Sequence, residues 1–212
     1  MRGPVAQEIV ALGVAGLTVN VRDDAVRASL MTLTSLDPPV VAVVSMWVQQ
    51  CYGHQVREAI ALLSGQCRHV AAYLVTESVP LTPSATELGQ RTIGLANVAL
   101  LRRPARLDRD TWLARWQLDH TTVAIETQAT FGYTQNVVWR ALTADAPSID
   151  GIVEELFPAE AISDLREFFG ASDDADLAER MNRMIASTSA FGANENIDTV
   201  PTSRYVLRTP FG

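Results

Sequence analysis

In the run RDTWLARWQLDHTTVAIE, residues 109–126, two tryptophans and a histidine share one helical pattern. Leu113, Trp116, His120, Val123 and Thr127 advance by steps of three and four, so a helix over 109–128 carries them on a single stripe, with Trp112 flanking Trp116. Such a stripe faces a sheet. Loss of water there favours neutral imidazole, which leaves one ring nitrogen as acceptor and one as donor, both needing partners. Two readings stay open: a core histidine bonded to a carbonyl, or a general acid or base at the edge of a pocket walled by Trp112 and Trp116.

Other polar residues could join it. Tyr133 and Asn136 lie in FGYTQNVVWRAL, where an odd step of three puts them on opposite faces of a strand unless a bulge intervenes. In SIDGIVEELF, Asp150 and Glu154 share a face and would raise one another's pKa if unpaired, whereas Glu155 points the other way. Pairing with Arg102, Arg140 or Arg208 is the plainer account of all three acids. SDDADL is a helix start, with Ser172 as cap and acids in the first turn. Leu177, Met181, Met184 and Ile185 form an ordinary core stripe.

The elements that would position these residues come in two series. From Gly16 the pattern reads strand (GLTVNV), helix (DDAVRASLMTL, with Val26, Leu30 and Leu33 in register), strand (VVAVVSMWV), helix (HQVREAIALLSG, stopped by Gly65) and strand (RHVAAYLVTESV). PLTPSATELGQRT then loses periodicity, as a connector does. Beyond it LANVALLRRP, the tryptophan helix capped by Asp108, two strands, the interrupted helices AEAISDLREFF and DADLAERMNRMIAS, and SRYVLR give the order β-α-β-β-α-β of a ferredoxin-like unit. The expected architecture is α+β. A degenerate ferredoxin-like half over 1–80, a linker over 81–93 and a complete unit over 94–212 bury their bare sheet faces against each other as a pseudo-dimer.

Composition narrows the chemistry. All 17 basic residues are arginine, and without lysine a pyridoxal-phosphate aldimine, a Schiff-base aldolase and a Walker A loop are excluded. The net charge of −7, with arginines spread singly, offers no nucleic-acid footprint. The apolar run from Ile9 to Val19 is 11 residues long, too short to span a bilayer, and it follows Glu8 rather than a basic segment, so a cytoplasmic protein is expected. Cys51, Cys67, His54 and His69 have no zinc spacing, which predicts neither metal nor disulfide.

The sequence from about Gly94 to Arg208 resembles the EthD family of dimeric α+β barrel proteins. The resemblance rests on LLRRP before the helix, on Trp112, Trp116 and His120 at steps of four, on Tyr133 and Asn136, and on IDGIVEELF with Asp150 and Glu154 or Glu155. Thr122 stands where a proline is common in the family, two residues after the histidine. The resemblance implies a protein that handles a small apolar or aromatic metabolite, in bacterial catabolism or polyketide-type metabolism, with no cofactor. His120, Asn136 and Tyr133 would be catalytic, and Trp112, Trp116, Asp150 and Glu154 would bind the ligand. Isomerase, dehydratase, lyase or oxygenase chemistry is one expectation, a non-catalytic binder another, and a haem site on His120 a third; homo-oligomers occur in this fold.

Overall fold

The computed structural model describes residues 3–210. Period-two runs of β-branched and aliphatic residues form the strands β1 (Gly16–Val21), β2 (Ala42–Trp47), β3 (Tyr73–Leu81), β4 (Leu95–Leu101), β5 (Gly132–Ala141), β6 (Gly151–Phe157) and β7 (Asp198–Arg208). They make one antiparallel sheet in the order β2-β1-β7-β4-β6-β5-β3. Helices α1 (Pro4–Ala11) and α2 (His54–Ser64) belong to the first half. The second half carries α3 (Arg109–Ala114), a π-helical turn over Arg115–His120, α4 (Thr121–Thr127), α5 (Leu165–Phe169) and α6 (Asp174–Phe191).

The two sheet faces have different contents. On one, Ala99, Leu101, Tyr133 and Val153 pack against Trp112, Trp116, Ala124 and Phe191 of the helices, while Leu17 and Val19 meet Ala6, Ile9, Ala59 and Leu63 of α1 and α2. On the other, Val98, Leu100, Val138 and Val200 of the central strands form a cluster. Val43 of β2 and Val75 of β3 pack against this cluster from opposite edges of the sheet, so the sheet curls around this face. Leu36 and Val40 of the loop before β2 also pack on it.

The first half builds no separate sheet. The β1–β2 pair adds to β7 at one edge of the second half and β3 adds to β5 at the other, so curling, rather than a second sheet, covers the bare face. The helix expected over DDAVRASLMTL is also absent. Of its apolar positions only Val26 is buried; Leu30 and Leu33 are 56% and 52% exposed. The stretch forms consecutive turns, the Val26 and Ser29 N–H groups bonding to the Asp23 and Val26 carbonyls, and tertiary acceptors fix its far end. Leu33 bridges to Thr199, and the Asp198 carboxylate accepts the N–H groups of Ser35 and Leu36. These bonds outweigh a helical preference of a few tenths of a kcal/mol per residue. The connector is partly structured too: β3 continues to Leu81, and Arg91 bridges to Tyr205. α1 was not anticipated, although Pro4 at its first turn is a start signal.

Candidate functional site

Asp108 caps α3, its carboxylate accepting the Thr111 N–H at 2.9 Å. Six residues later the helix widens into the π-turn, closed by the Thr121 N–H bonding to the Trp116 carbonyl. The Thr121 hydroxyl donates to the same carbonyl at 3.1 Å and accepts from the Gln135 amide at 2.6 Å, so β5 fastens the turn to the sheet. The additional residue in this turn rotates the stripe. Trp112, Trp116, His120, Thr121, Ala124 and Thr127 are the buried positions, whereas Leu113 and Val123 of the expected stripe are only partly so. Both tryptophans are fully buried with ring centroids 5.0 Å apart. Gly151 makes room for them: a β-carbon there would lie 2.6 Å from the Trp116 ring.

Beneath this turn lies a row of buried polar side chains. Asn97, Glu155 and Tyr133 stand opposite one another across β4, β6 and β5, with exposures of 3%, 8% and 1%. Burial alone pushes the Glu155 carboxyl up to about 8, and no ion-pair partner reaches it among the described residues. The Tyr133 hydroxyl is pushed far up by burial and then by Glu155 beside it. Gln135, Trp116 and Thr121 surround that hydroxyl. The Trp116 indole N–H has no aligned acceptor, and Asn97 Oδ1 has no donor. The indole N–H does face the Tyr133 hydroxyl, so Asn97 Oδ1, at a cost of roughly 1–3 kcal/mol, and the unpaired carboxyl beside it mark the place where another polar group belongs.

His120, at the end of the π-turn, faces α6. It is 8% exposed, its Nδ1 meets Ser187 Oγ at 2.9 Å, and the Phe191 ring lies 4.7 Å away. Burial lowers its pKa to about 4, so the imidazole is neutral at pH 7.

Asn136, Asp150 and Glu154 are elsewhere. Asn136 stands opposite Glu77 of β3, and Glu154 opposite Thr134, both on the concave face away from the helices. Glu154 pairs with Arg204 at 2.7 Å and accepts a hydrogen bond from Asn20. Glu77, whose carboxyl is raised chiefly by burial and held by the Trp47 indole, lies near both charges. Asp150 accepts the Arg103 N–H at 2.8 Å, a bond that joins the start of β6 to the chain after β4. The expected arginine partners are corrected accordingly: Arg102 pairs with Asp198, Arg140 with no carboxylate among the described residues, and Glu154 with Arg204. The sheet therefore divides the expected site, leaving Trp112, Trp116, His120 and Tyr133 on the helix face without Asn136, Asp150 or Glu154.

Of the cluster, Glu155 was named from the sequence as the acid facing away from Glu154, whereas Asn97, Gln135, Thr121 and Ser187 were not named. Glu155 alternates with Val153 and Phe157, and Asn97 with Leu95 and Ala99, so each is a polar residue at a buried period-two position, which is a usable signal. Gln135 carries the same signal between Tyr133 and Val137. Thr121 and Ser187 carry none. The cap of α6 is Asp173, whose carboxylate accepts from Ala175 and Asp176, and not Ser172. Cys51 and Cys67 are free thiols, and among the described residues no group of three or more His, Cys, Asp and Glu side chains is placed to hold a metal ion.

No family model and no curated protein matches the chain. Function therefore rests on the geometry of the two faces. Among the described residues no helix is long and apolar enough to cross a membrane.

Proposed function

We propose that this chain is an EthD-like protein that takes a small, neutral apolar or aromatic metabolite between the π-turn helix and the sheet. The observation carrying this reading is the row Asn97–Glu155–Tyr133 beneath Trp116, with an unpartnered Asn97 Oδ1 and a carboxyl that has no counter-charge. Trp112 and Trp116 supply apolar wall, and Asn97 Oδ1 supplies an acceptor for a ligand hydroxyl. Cofactor-independent isomerase, dehydratase, lyase or oxygenase chemistry would draw on two groups whose environments drive their pKa values apart. Glu155 is protonated at neutral pH and able to donate, and neutral His120 is able to accept. A non-catalytic binding role is the second reading, favoured by the closure of Phe191 and Ser187 around His120.

The order of elements supports the family reading of the fold. Strands β4 to β7 follow β-α-β-β-α-β, and α1-β1-β2-α2-β3 repeats that order without its first strand, as a degenerate second unit of a pseudo-dimeric barrel would.

Titration of the full chain with 2-naphthol, a neutral aromatic probe, tests the site by NMR. The Trp112 and Trp116 indole resonances should shift together with Gln135. Shifts confined to other residues would contradict the proposal. Once turnover of any substrate is found, His120→Gln separates the two readings: an acid/base role predicts a loss of at least about 100-fold, a binding role little change.

A further inference from the structure

The chain leaves β2 through Cys51 and Tyr52 into α2, and the end of β5 lies beside this turn. A cleft of about 390 Å³ opens between them, lined by Cys51, Tyr52, Val56, Arg57, Arg140 and Leu142 among others, none of them acidic. That volume suits a small molecule. Its only charged side chains are Arg57 and Arg140, two of the nine described arginines that form no ion pair. Arg27, Arg102, Arg106, Arg166, Arg180, Arg183 and Arg204 are each paired with a carboxylate. Arg57 and Arg140 form no ion pair among the described residues. Arg57 donates to the Tyr52 carbonyl at 2.7 Å. Arg140 lies over the Tyr52 ring at 4.4 Å, donates to its hydroxyl and sits 3.7 Å from Cys51 Sγ.

The first turn of α2 adds no negative charge, and Val56 of that turn lines the cleft. A guanidinium offers a fork that matches a carboxylate. Val56, Ile60 and Leu142 add an apolar wall. We infer that this cleft binds a small organic carboxylate, its charge held by Arg57 and Arg140 and its aliphatic or aromatic body laid on that wall. The site is independent of the cluster beneath the π-turn.

Binding of 4-phenylbutyrate to the full chain, followed by calorimetry, tests this directly. The acid should bind at least about 10-fold more tightly than 4-phenylbutanol, which keeps the body and lacks the charge, and the affinity should fall by at least about 10-fold in the Arg57→Gln/Arg140→Gln variant. Cys51 gives a local readout. Bound 4-phenylbutyrate should slow its alkylation by iodoacetamide and leave Cys67, which does not line the cleft, unaffected. Equal binding of the alcohol, equal protection of Cys51 by inorganic phosphate, or no protection of Cys51 at saturation would each overturn the assignment. The wild-type comparisons decide the matter even if the double variant does not fold.

Discussion

Glu154 and Glu155 are neighbours in β6 and sit in opposite worlds. Glu154 faces the concave side, where Arg204 and Asn20 satisfy its carboxylate. Glu155 faces the helices, where burial pushes its carboxyl up to about 8 and no cation answers it. One peptide step thus separates a paired charge from an unpaired acid, because side chains alternate across a strand. The comparison teaches that the concave face is a stabilising interior closed by both halves of the chain. Unpartnered polar atoms occur on both faces, Asn20 Oδ1 on the concave side and Asn97 Oδ1 on the helix side, and what distinguishes the helix face is a fully buried carboxyl with no counter-charge.

Deleting residues 1–93 should produce the largest effect, because Val43, Val75, Leu36 and Val40 cover the central concave cluster and all come from that segment. The remaining chain should lack cooperative unfolding in calorimetry. A stable, monomeric 94–212 fragment would break the claim that both halves close this face. Trp116→Ala comes next: a fully buried indole wedged over Gly151 leaves a cavity costing about 3–5 kcal/mol, measurable by urea unfolding.

The two glutamates should then respond with opposite signs. Glu154→Gln removes one partner of a mostly buried pair and should lower stability by about 1–3 kcal/mol at pH 7, the partial exposure of both side chains keeping the loss below that of a fully buried pair. Glu155 is protonated in the fold and ionised in the unfolded chain between about 4.5 and 8, so the native state binds more protons and stability falls as pH rises through that window. Glu155→Gln should remove that fall, a slope of at most about 1.4 kcal/mol per pH unit, and its advantage over wild type should grow from pH 5 to pH 8. A parallel pH profile for the two proteins would show that Glu155 ionises freely.

The smallest expected effect is at His120. Its folded pKa of about 4 lies below the ordinary 6.5, so the unfolded chain takes up the proton first and stability falls as pH drops from about 6.5 toward 4. His120→Gln should flatten that acid limb while the amide keeps the bond to Ser187, and thermal unfolding at pH 5 and pH 7 measures both.

Much of this frame was legible in residue patterns. GLTVNV is β1 to the residue, HQVREAIALLS is α2, and LANVALL is β4. These segments have periodicities that local geometry satisfies by itself. The segment after β1 was misread because its apolar spacing mimics a helix while its conformation is set by distant acceptors on Asp198 and Thr199. At the site, parity in β5 correctly separated Tyr133 from Asn136, and parity in β6 separated Glu154 from Glu155. The π-turn was not legible. It depends on Thr121 and Gln135 meeting across 14 residues, a tertiary contact with no local signature. Nor could spacing tell which acid would find an arginine, since Arg204 reaches Glu154 from a strand that is not its neighbour in the sheet.

The helix-face account stands or falls on the ionisation of one side chain. A carbon-detected NMR titration of the Glu155 carboxyl in the wild-type chain, assigned with Glu155→Gln, reads it without reference to any substrate. The account predicts a midpoint near 8. A midpoint near the ordinary value of about 4.3 for glutamate would mean that the carboxylate is solvated or paired, and the cluster beneath the π-turn would lose its claim to be a site.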